Sequence, residues 1–328
     1  MGRVEAISRL YEGTPFKAFQ GAGFIASGKS IVTTASRLFL EGIDFDLVYF
    51  PLKHLGFKSV VEVTGELYAR LAHPKTLSVV LGISAKLDFA EVGEIWAGIV
   101  AAAREQGFEQ VDLDLMPSRN GLSISVSAAG EISMLTARRK PAPKTKDLIC
   151  VSGSLGAAFL GFKVLEKGKA EFDAQAPGHE MLETYKMQVA AYLKPELGSG
   201  IVPALEDAEI YPSCGYFVTS GLADTVKRIV RDTGLGAKIY ADKIPFEGNS
   251  FQLGKELNID PVSAAMNGGD DCRLLFTVPI LSLEKFRRDF QTFDIIGHLS
   301  QSEVGAALVL PDGLEMPIRA QGWKEDED

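Results

Sequence analysis

The chain has 328 residues, 46% of them hydrophobic and 23% charged, with a formal net charge of −9. That length suffices for two domains with full cores, and the composition is that of an ordinary globular protein, which excludes a disordered or low-complexity one. The dense charge run, Lys324 to Asp328, is acidic, so no basic face for nucleic acid or anionic lipid is expected and small-molecule partners are favoured.

The opening MGRVEAISRLYEG has no apolar signal core, and no stretch reaches about 18 uninterrupted apolar residues, so the cytoplasm is the expected location. Cys150, Cys214 and Cys272 are far apart and without a C-x-x-C pair, which predicts reduced thiols, with Cys150 in a strand core. The histidines His54, His73, His179 and His298 show no zinc-ligand spacing.

In chain order, FQGAGFIASGKS comes first and formally completes the phosphate-loop pattern G-x-x-x-x-G-K-S. A phosphate loop needs a helix after the lysine, whereas IVTTASRLFLEG begins as a strand, so the spacing predicts a hairpin with its turn at GKS. EGIDFDLVYFP reads as an alternating acidic and aromatic strand, and HLGFKSVVEVTGELYARLA as a helix. HPKTLSVVLGIS reads as a turn and a buried strand, and FAEVGEIWAGIVAAAREQGF as an amphipathic helix ended by Gly107. EQVDLDLM and GLSISVSAAGEI are predicted strands, and alternation in the first puts Asp112 and Asp114 on one face.

TARRKPAPKTKD has a linker's composition and predicts a boundary between an N-terminal domain, 1–140, and a C-terminal domain, 141–328. Beyond it, DLICVSGSLGAAFLGFKVLEKG and GYFVTSGLADTVKRIVRDTG each read as strand, glycine turn and helix. KIYADKIPF and CRLLFTVP read as strands, SLEKFRRDFQTF as a helix, and FDIIGHLS and AALVLPDGLEM as closing strands. Strands and helices mix throughout, which predicts an α+β fold. The stretch MNGGDDCRLLFTVP reads as a glycine turn launching a buried strand, with Asp270 and Asp271 between them.

The strings V-S-G-S-L-G-A-A, V-T-S-G-L-A-D, K-I-Y-A-D-K-I-P, G-G-D-D-C-R-L-L-F-T and the terminal A-Q-G-W together resemble the thiamine-monophosphate kinase family of the aminoimidazole-ribonucleotide-synthetase-like superfamily, collinearly from about residue 16 to Trp323. The resemblance implies two α+β domains. The N-terminal one has a mixed sheet that forms a shared barrel in a homodimer, and the C-terminal one is an α/β sandwich. It implies transfer of the γ-phosphoryl of ATP to thiamine monophosphate, giving thiamine diphosphate, with Mg²⁺ ions between the phosphates. Such transfer rests on positioning and charge neutralisation, so several carboxylates are needed.

Laid on this sequence, the family pattern keeps some acids and loses others. Asp46 and Asp270 stand at substrate-contact positions, and Trp323 at the aromatic that stacks on substrate. Glu66 replaces a metal-binding aspartate and Asp114 matches another, next to the nucleotide. Arg139, with Arg138, lies near the family's ATP-contacting arginine, and Ser220 falls in the nucleotide motif. Metal-binding aspartates are replaced at Ala35, Phe217 and Ser220, and both acids of the first motif are missing at Gly21-Ala22-Gly23-Phe24. Without the family, Asp46 and the pair Asp112 and Asp114 read as solvated strand faces, Arg138 and Arg139 as linker charges, and Trp323 as a packing anchor.

Three functions are compatible with these residues: a kinase of the family, a catalytically lapsed paralogue that binds a nucleotide, a thiamine phosphate or a protein partner, and a phosphate-loop protein built on GFIASGKS. The last ranks lowest. Losing electrostatic groups costs factors of roughly 10² to 10³ each in catalysis, which separates the first two readings by the number of acids that remain.

Overall fold

The computed structural model describes residues 2–12, 25–28, 30–173 and 179–322. In chain order the elements are α1 (Arg3–Tyr11), β1 (Ile25–Ser27), β2 (Ser30–Leu40), α2 (Leu52–Ala69), β3 (His73–Ile83), α3 (Phe89–Glu105), β4 (Gln110–Pro117), β5 (Ser123–Ser133), α4 (Met134–Arg139), β6 (Leu148–Ser152), α5 (Ala157–Asp173), α6 (His179–Thr184), α7 (Lys186–Leu193) and α8 (Ile201–Asp207). They continue as β7 (Cys214–Val218), α9 (Leu222–Thr233), β8 (Gly236–Tyr240), α10 (Ser250–Leu257), α11 (Pro261–Asn267), β9 (Arg273–Val278), α12 (Leu283–Asp289), β10 (Phe293–Ser300), β11 (Ala306–Val309) and β12 (Glu315–Pro317). The α+β class follows directly. Two compact units result, one within Gly21–Arg139 and Gly161–Asp207, the other within Met1–Gln20, Lys140–Leu160 and Ala208–Asp328, and the division falls inside α5.

The first unit holds a five-stranded sheet in the order β1-β2-β5-β3-β4, with β3 and β4 parallel and the other pairs antiparallel. Strand period 2 sends Ala35 and Phe39 of β2, Leu77, Val79 and Leu81 of β3, and Ile124 and Val126 of β5 to one buried face. There α2 covers them, and α3 packs on α2 so closely that a Cβ on Gly98 would stand 1.9 Å from the Lys53 carbonyl oxygen. Asp88 and Glu91 close a capping box on α3, satisfying backbone N–H groups that its first turn leaves over. The opposite face carries Thr34, Thr76, Ser78 and Ser127 around a cavity of about 610 Å³, with exposed Leu38 and Val80 on the same side. The expected hairpin is present as β1 and β2, with Gly28 at φ +59 in its turn; Lys29 lies outside the described residues.

The stretch EGIDFDLVYFP is not the strand its alternation predicted. It is a chain of turns, because its aspartates bond the backbone locally: Asp44 Oδ2 accepts from the Leu40 N–H at 2.8 Å and Asp46 Oδ1 from the Val48 N–H at 2.9 Å. KIYADKIPF likewise stays extended only to Tyr240, and Ala241–Lys243 make one 3₁₀ turn.

The second unit holds a seven-stranded sheet in the order β12-β11-β8-β10-β6-β9-β7, antiparallel except for β8 with β11. One face packs Ile149, Val151, Ile239 and Leu275 against Val226 and Ile229 of α9 and Ala265 and Met266 of α11. The other face carries Cys150 and an aromatic stack in which Phe276 lies 5.6 Å from Phe293 and Phe286 of α12 lies 5.2 Å from Phe290. Cys150 is fully buried, as expected, and burial pushes its thiol up to about 12. Arg3 of α1 makes a two-pronged pair with the buried Asp224 of α9, at 3.0 and 2.7 Å.

Candidate functional site

In the seven-stranded unit, three glycine loops interlock beside the start of α5. The 267–272 turn is held by its backbone, since Asp270 N–H donates to the Thr219 carbonyl at 2.7 Å and Cys272 N–H to that of Val218 at 2.9 Å. Asp270 and Cys272 both sit at positive φ, +63° and +51°, a strained backbone that only a fixed turn sustains. Gly221 fits because it has no side chain: at φ +88 a Cβ there would meet the Met266 carbonyl oxygen at 2.5 Å. Ser220 and Asp270 are each partly exposed on neighbouring, hydrogen-bonded loops, so the structure brings this predicted pair together.

Asp271, beside them, is fully buried and plays a different part. Its Oδ2 accepts from the Gly156 N–H at 3.0 Å, at the head of α5. Burial pushes its carboxyl up to about 7, against the downward pull of the Gly156 N–H and of the Arg273 charge. Arg273 in turn donates through Nε to the Ser154 carbonyl at 3.3 Å, tying the SGSLG loop to the GGDD turn.

In the five-stranded unit, Asp46 lines a cavity of about 740 Å³ together with Glu41, Ser84, Lys86, Arg119 and Asn120, all on loops at one end of the sheet. Lys169 of α5 donates to Asp46 Oδ2 at 2.6 Å. Burial pushes the Asp46 carboxyl up, but the hydrogen bonds from Lys169 and the Val48 N–H and the lysine charge outweigh it and hold the group below its ordinary value. Glu41 accepts from the Leu122 N–H at 2.7 Å and from Lys86 at 3.1 Å, which fixes the cavity wall. Sequence reasoning missed Lys86, Arg119 and Lys169: the first two stand on loops without a motif, and Lys169 reaches Asp46 from 123 residues away.

The metal-side residues are not brought together. Asp114 pairs in register with Val80, whose neighbours Val79 and Leu81 are buried, so Asp114 faces the open side of the sheet. Glu66 sits on α2, which covers the other side, and Arg70 stands 3.6 Å from its carboxylate. Arg70 also donates to Thr33 Oγ1 at 2.9 Å and to the Thr34 carbonyl at 2.6 Å, while Arg37 of β2 pairs with the buried Glu62 at 3.0 Å. Ala35, where the family pattern expects an aspartate, is buried between them on the same strand face. Phe217 is likewise fully buried.

Mg²⁺ takes an octahedron of oxygen ligands and binds through one or two well-placed carboxylates. The acids present do not fit that demand: Glu66 and Asp114 lie on opposite sides of a sheet, and Glu66 is engaged by a guanidinium. No group of three or more potential His, Cys, Asp or Glu ligands occurs among the described residues. Arg139 is exposed at the end of α4. Trp323 and the segment Gly21 to Phe24 lie outside the described residues.

No family model matches the chain. It is 24% identical to a thiamine-monophosphate kinase of Aquifex aeolicus over 298 residues, 91% of this chain and 88% of that one. It is 26% identical to a thiamine-monophosphate kinase of Pyrococcus horikoshii over 304 residues, 92% and 89% of the two chains. Among solved structures, AaThiL complexed with AMPPCP and TMP superposes with a TM-score of 0.78 at 20% identity, covering 96% of this chain and 94% of that one. Over nine-tenths of its length this chain is therefore similar in sequence to curated thiamine-monophosphate kinases, and it shares the fold of AaThiL.

Proposed function

We propose that this protein is a thiamine-monophosphate kinase-like protein that binds ATP and thiamine monophosphate, with the γ-phosphoryl of ATP passing to thiamine monophosphate to give thiamine diphosphate. The observation that carries the binding half is the rigid GGDD turn, whose Asp270 is held by the Thr219 carbonyl beside Ser220. In the other unit, Asp46 with the cationic Lys86 and Arg119 lines a cavity of a kind that suits a phosphorylated ligand. The relatives' names support the same substrates. A second copy of the chain would close a barrel over the open sheet face around Leu38 and Val80, and Asp114 and Arg139 would then serve the nucleotide.

One observation favours a second reading, a paralogue that binds these ligands and has lost transfer. Glu66 and Asp114 sit on opposite sides of the sheet, and Arg70 occupies Glu66. Two phosphates brought together without a shared cation shell repel each other, and these two acids do not supply one.

Calorimetric titration with ATP and with thiamine monophosphate, followed by a product assay at high enzyme concentration with Mg²⁺, tests both. Thiamine diphosphate above background supports transfer. Binding of either ligand without product supports the lapsed paralogue, and binding of neither overturns both readings.

A further inference from the structure

The face of the seven-stranded sheet turned away from the α9 and α11 core holds a cavity of about 580 Å³ over β6, β8 and β10 that the kinase-like reading does not use. Its floor is opened by a bulge in β10 between Ile295 and Gly297, where a side chain cannot stand: a Cβ on Gly297 would lie 2.0 Å from the Lys238 carbonyl oxygen. Three cations line it, Lys146 before β6, Lys243 after β8 and Arg287 on α12, against one carboxylate, Asp294. Among the described residues neither Lys146 nor Arg287 has an ion-pair partner, and Lys243 has only its exposed neighbour Asp242, at 3.5 Å. A second wall is aromatic, with Tyr240 and His298 stacked at 5.8 Å.

A chain of net charge −9 ordinarily disperses its cations among acids. Three cations converging on a concave surface with one acid instead focus a positive potential there. The volume falls in the range of small-molecule pockets, well below what a folded partner needs. Burial and the nearby Lys238 charge lower the tendency of His298 to ionise, so at neutral pH its ring offers a flat surface and not a further charge.

We propose that this cavity is a binding site for a small phosphate monoester, with Lys146 and Arg287 holding the phosphate and the Tyr240–His298 wall facing the organic part. Phosphate geometry suits the arginine fork, and lysine supplies a point charge.

The probes are inorganic phosphate and phenyl phosphate, titrated calorimetrically into the full chain at low salt. Phenyl phosphate is expected to bind more tightly than inorganic phosphate, and Arg287→Ala and Lys146→Ala are each expected to weaken it about tenfold. Lys255→Ala, exposed on α10 and lining neither this cavity nor that of Asp46, is expected to leave that affinity unchanged. All three side chains are exposed or at a cavity rim, so an unchanged melting temperature checks folding, and Arg287→Lys should restore part of the loss. No saturable binding in the unaltered protein, or an affinity that Arg287→Ala and Lys146→Ala leave unchanged, overturns the proposal.

Discussion

Arg70, at the C-terminal end of α2, donates through Nη1 to the buried Thr33 hydroxyl of β2 at 2.9 Å and to the neighbouring Thr34 backbone carbonyl at 2.6 Å. Its Nη2 faces Glu66 one turn back at 3.6 Å, and Arg37 holds Glu62 at 3.0 Å on the same helix face. The interface between α2 and β2 is therefore closed by fixed protein cations, where a metal-dependent site would present acids.

Removing one partner of such a network leaves the others buried and uncompensated, which costs about 3 to 5 kcal/mol. Arg70→Met should lower the stability of the protein by an amount in that range, read from the urea midpoint with an unchanged slope. The double variant with Glu66→Gln should lose less than the sum of the two single changes, because the carboxylate left behind is then neutral. Strict additivity would show that the two side chains do not act together.

Gly221 offers a test of the loop assembly around the GGDD turn. Its φ is +88, and the Met266 oxygen lies 2.5 Å from where a Cβ would stand, which leaves no room for a methyl group. Gly221→Ala is expected to cost roughly 2 to 4 kcal/mol from backbone strain and overlap together, and to weaken any ligand held by Asp270 and Ser220. Gly248, beside which a Cβ would meet nothing within 4 Å, is the control, and its alanine variant should change stability by less than about 1 kcal/mol. Equal effects at the two positions would refute the steric account.

The buried Asp271 sets a pH dependence whose sign is fixed. Its carboxyl ionises near 7 in the folded protein and near 3.8 when unfolded, so between those values the folded state binds the extra proton. Stability from this group is full below about pH 4, falls as pH rises, and is lost above about pH 7. The upper bound on that loss is on the order of 4 kcal/mol. Asp271→Asn keeps an acceptor for the Gly156 N–H and removes the charge, so its melting temperature should decline less from about pH 5 to about pH 8 than that of the unaltered protein. Parallel curves for the two proteins would assign the carboxyl no such role.

Much of the fold was legible because long periodic segments carry it. The apolar spacing of FAEVGEIWAGIVAAARE and the alternation of SISVSAAGEIS each fixed an element, and both are observed as α3 and β5. EGIDFDLVYFP failed because the same aspartates that made it look alternating also cap turns, and alternation cannot separate the two. At the candidate site, the glycine turn that launches β9 was legible from the GGDD string. Lys169, Arg70 and Arg37 were not, since their roles come from packing of remote elements, and a charge in an amphipathic helix reads as solvated until burial is known. Nothing in VDLDL says that Asp114 and Glu66 face opposite sides of a sheet; that needed the register of β3 with β4.

Asp46 separates binding from stability. Its pair with Lys169 is partly exposed, with side chains 25% and 33% accessible, and pairs of that kind contribute between 0 and about 1 kcal/mol. Asp46→Ala should therefore leave the urea midpoint nearly unchanged. If the 740 Å³ cavity receives a thiamine phosphate, the same change removes both a carboxylate contact and the anchor that aims Lys169. Affinity for thiamine monophosphate should then fall about tenfold or more, while Lys169→Met should produce a smaller loss, since it leaves the carboxylate in place. Titration calorimetry on the three proteins reads this directly. Unchanged affinity in Asp46→Ala would place the thiamine phosphate elsewhere and leave Asp46 as a turn residue that bonds the Val48 N–H.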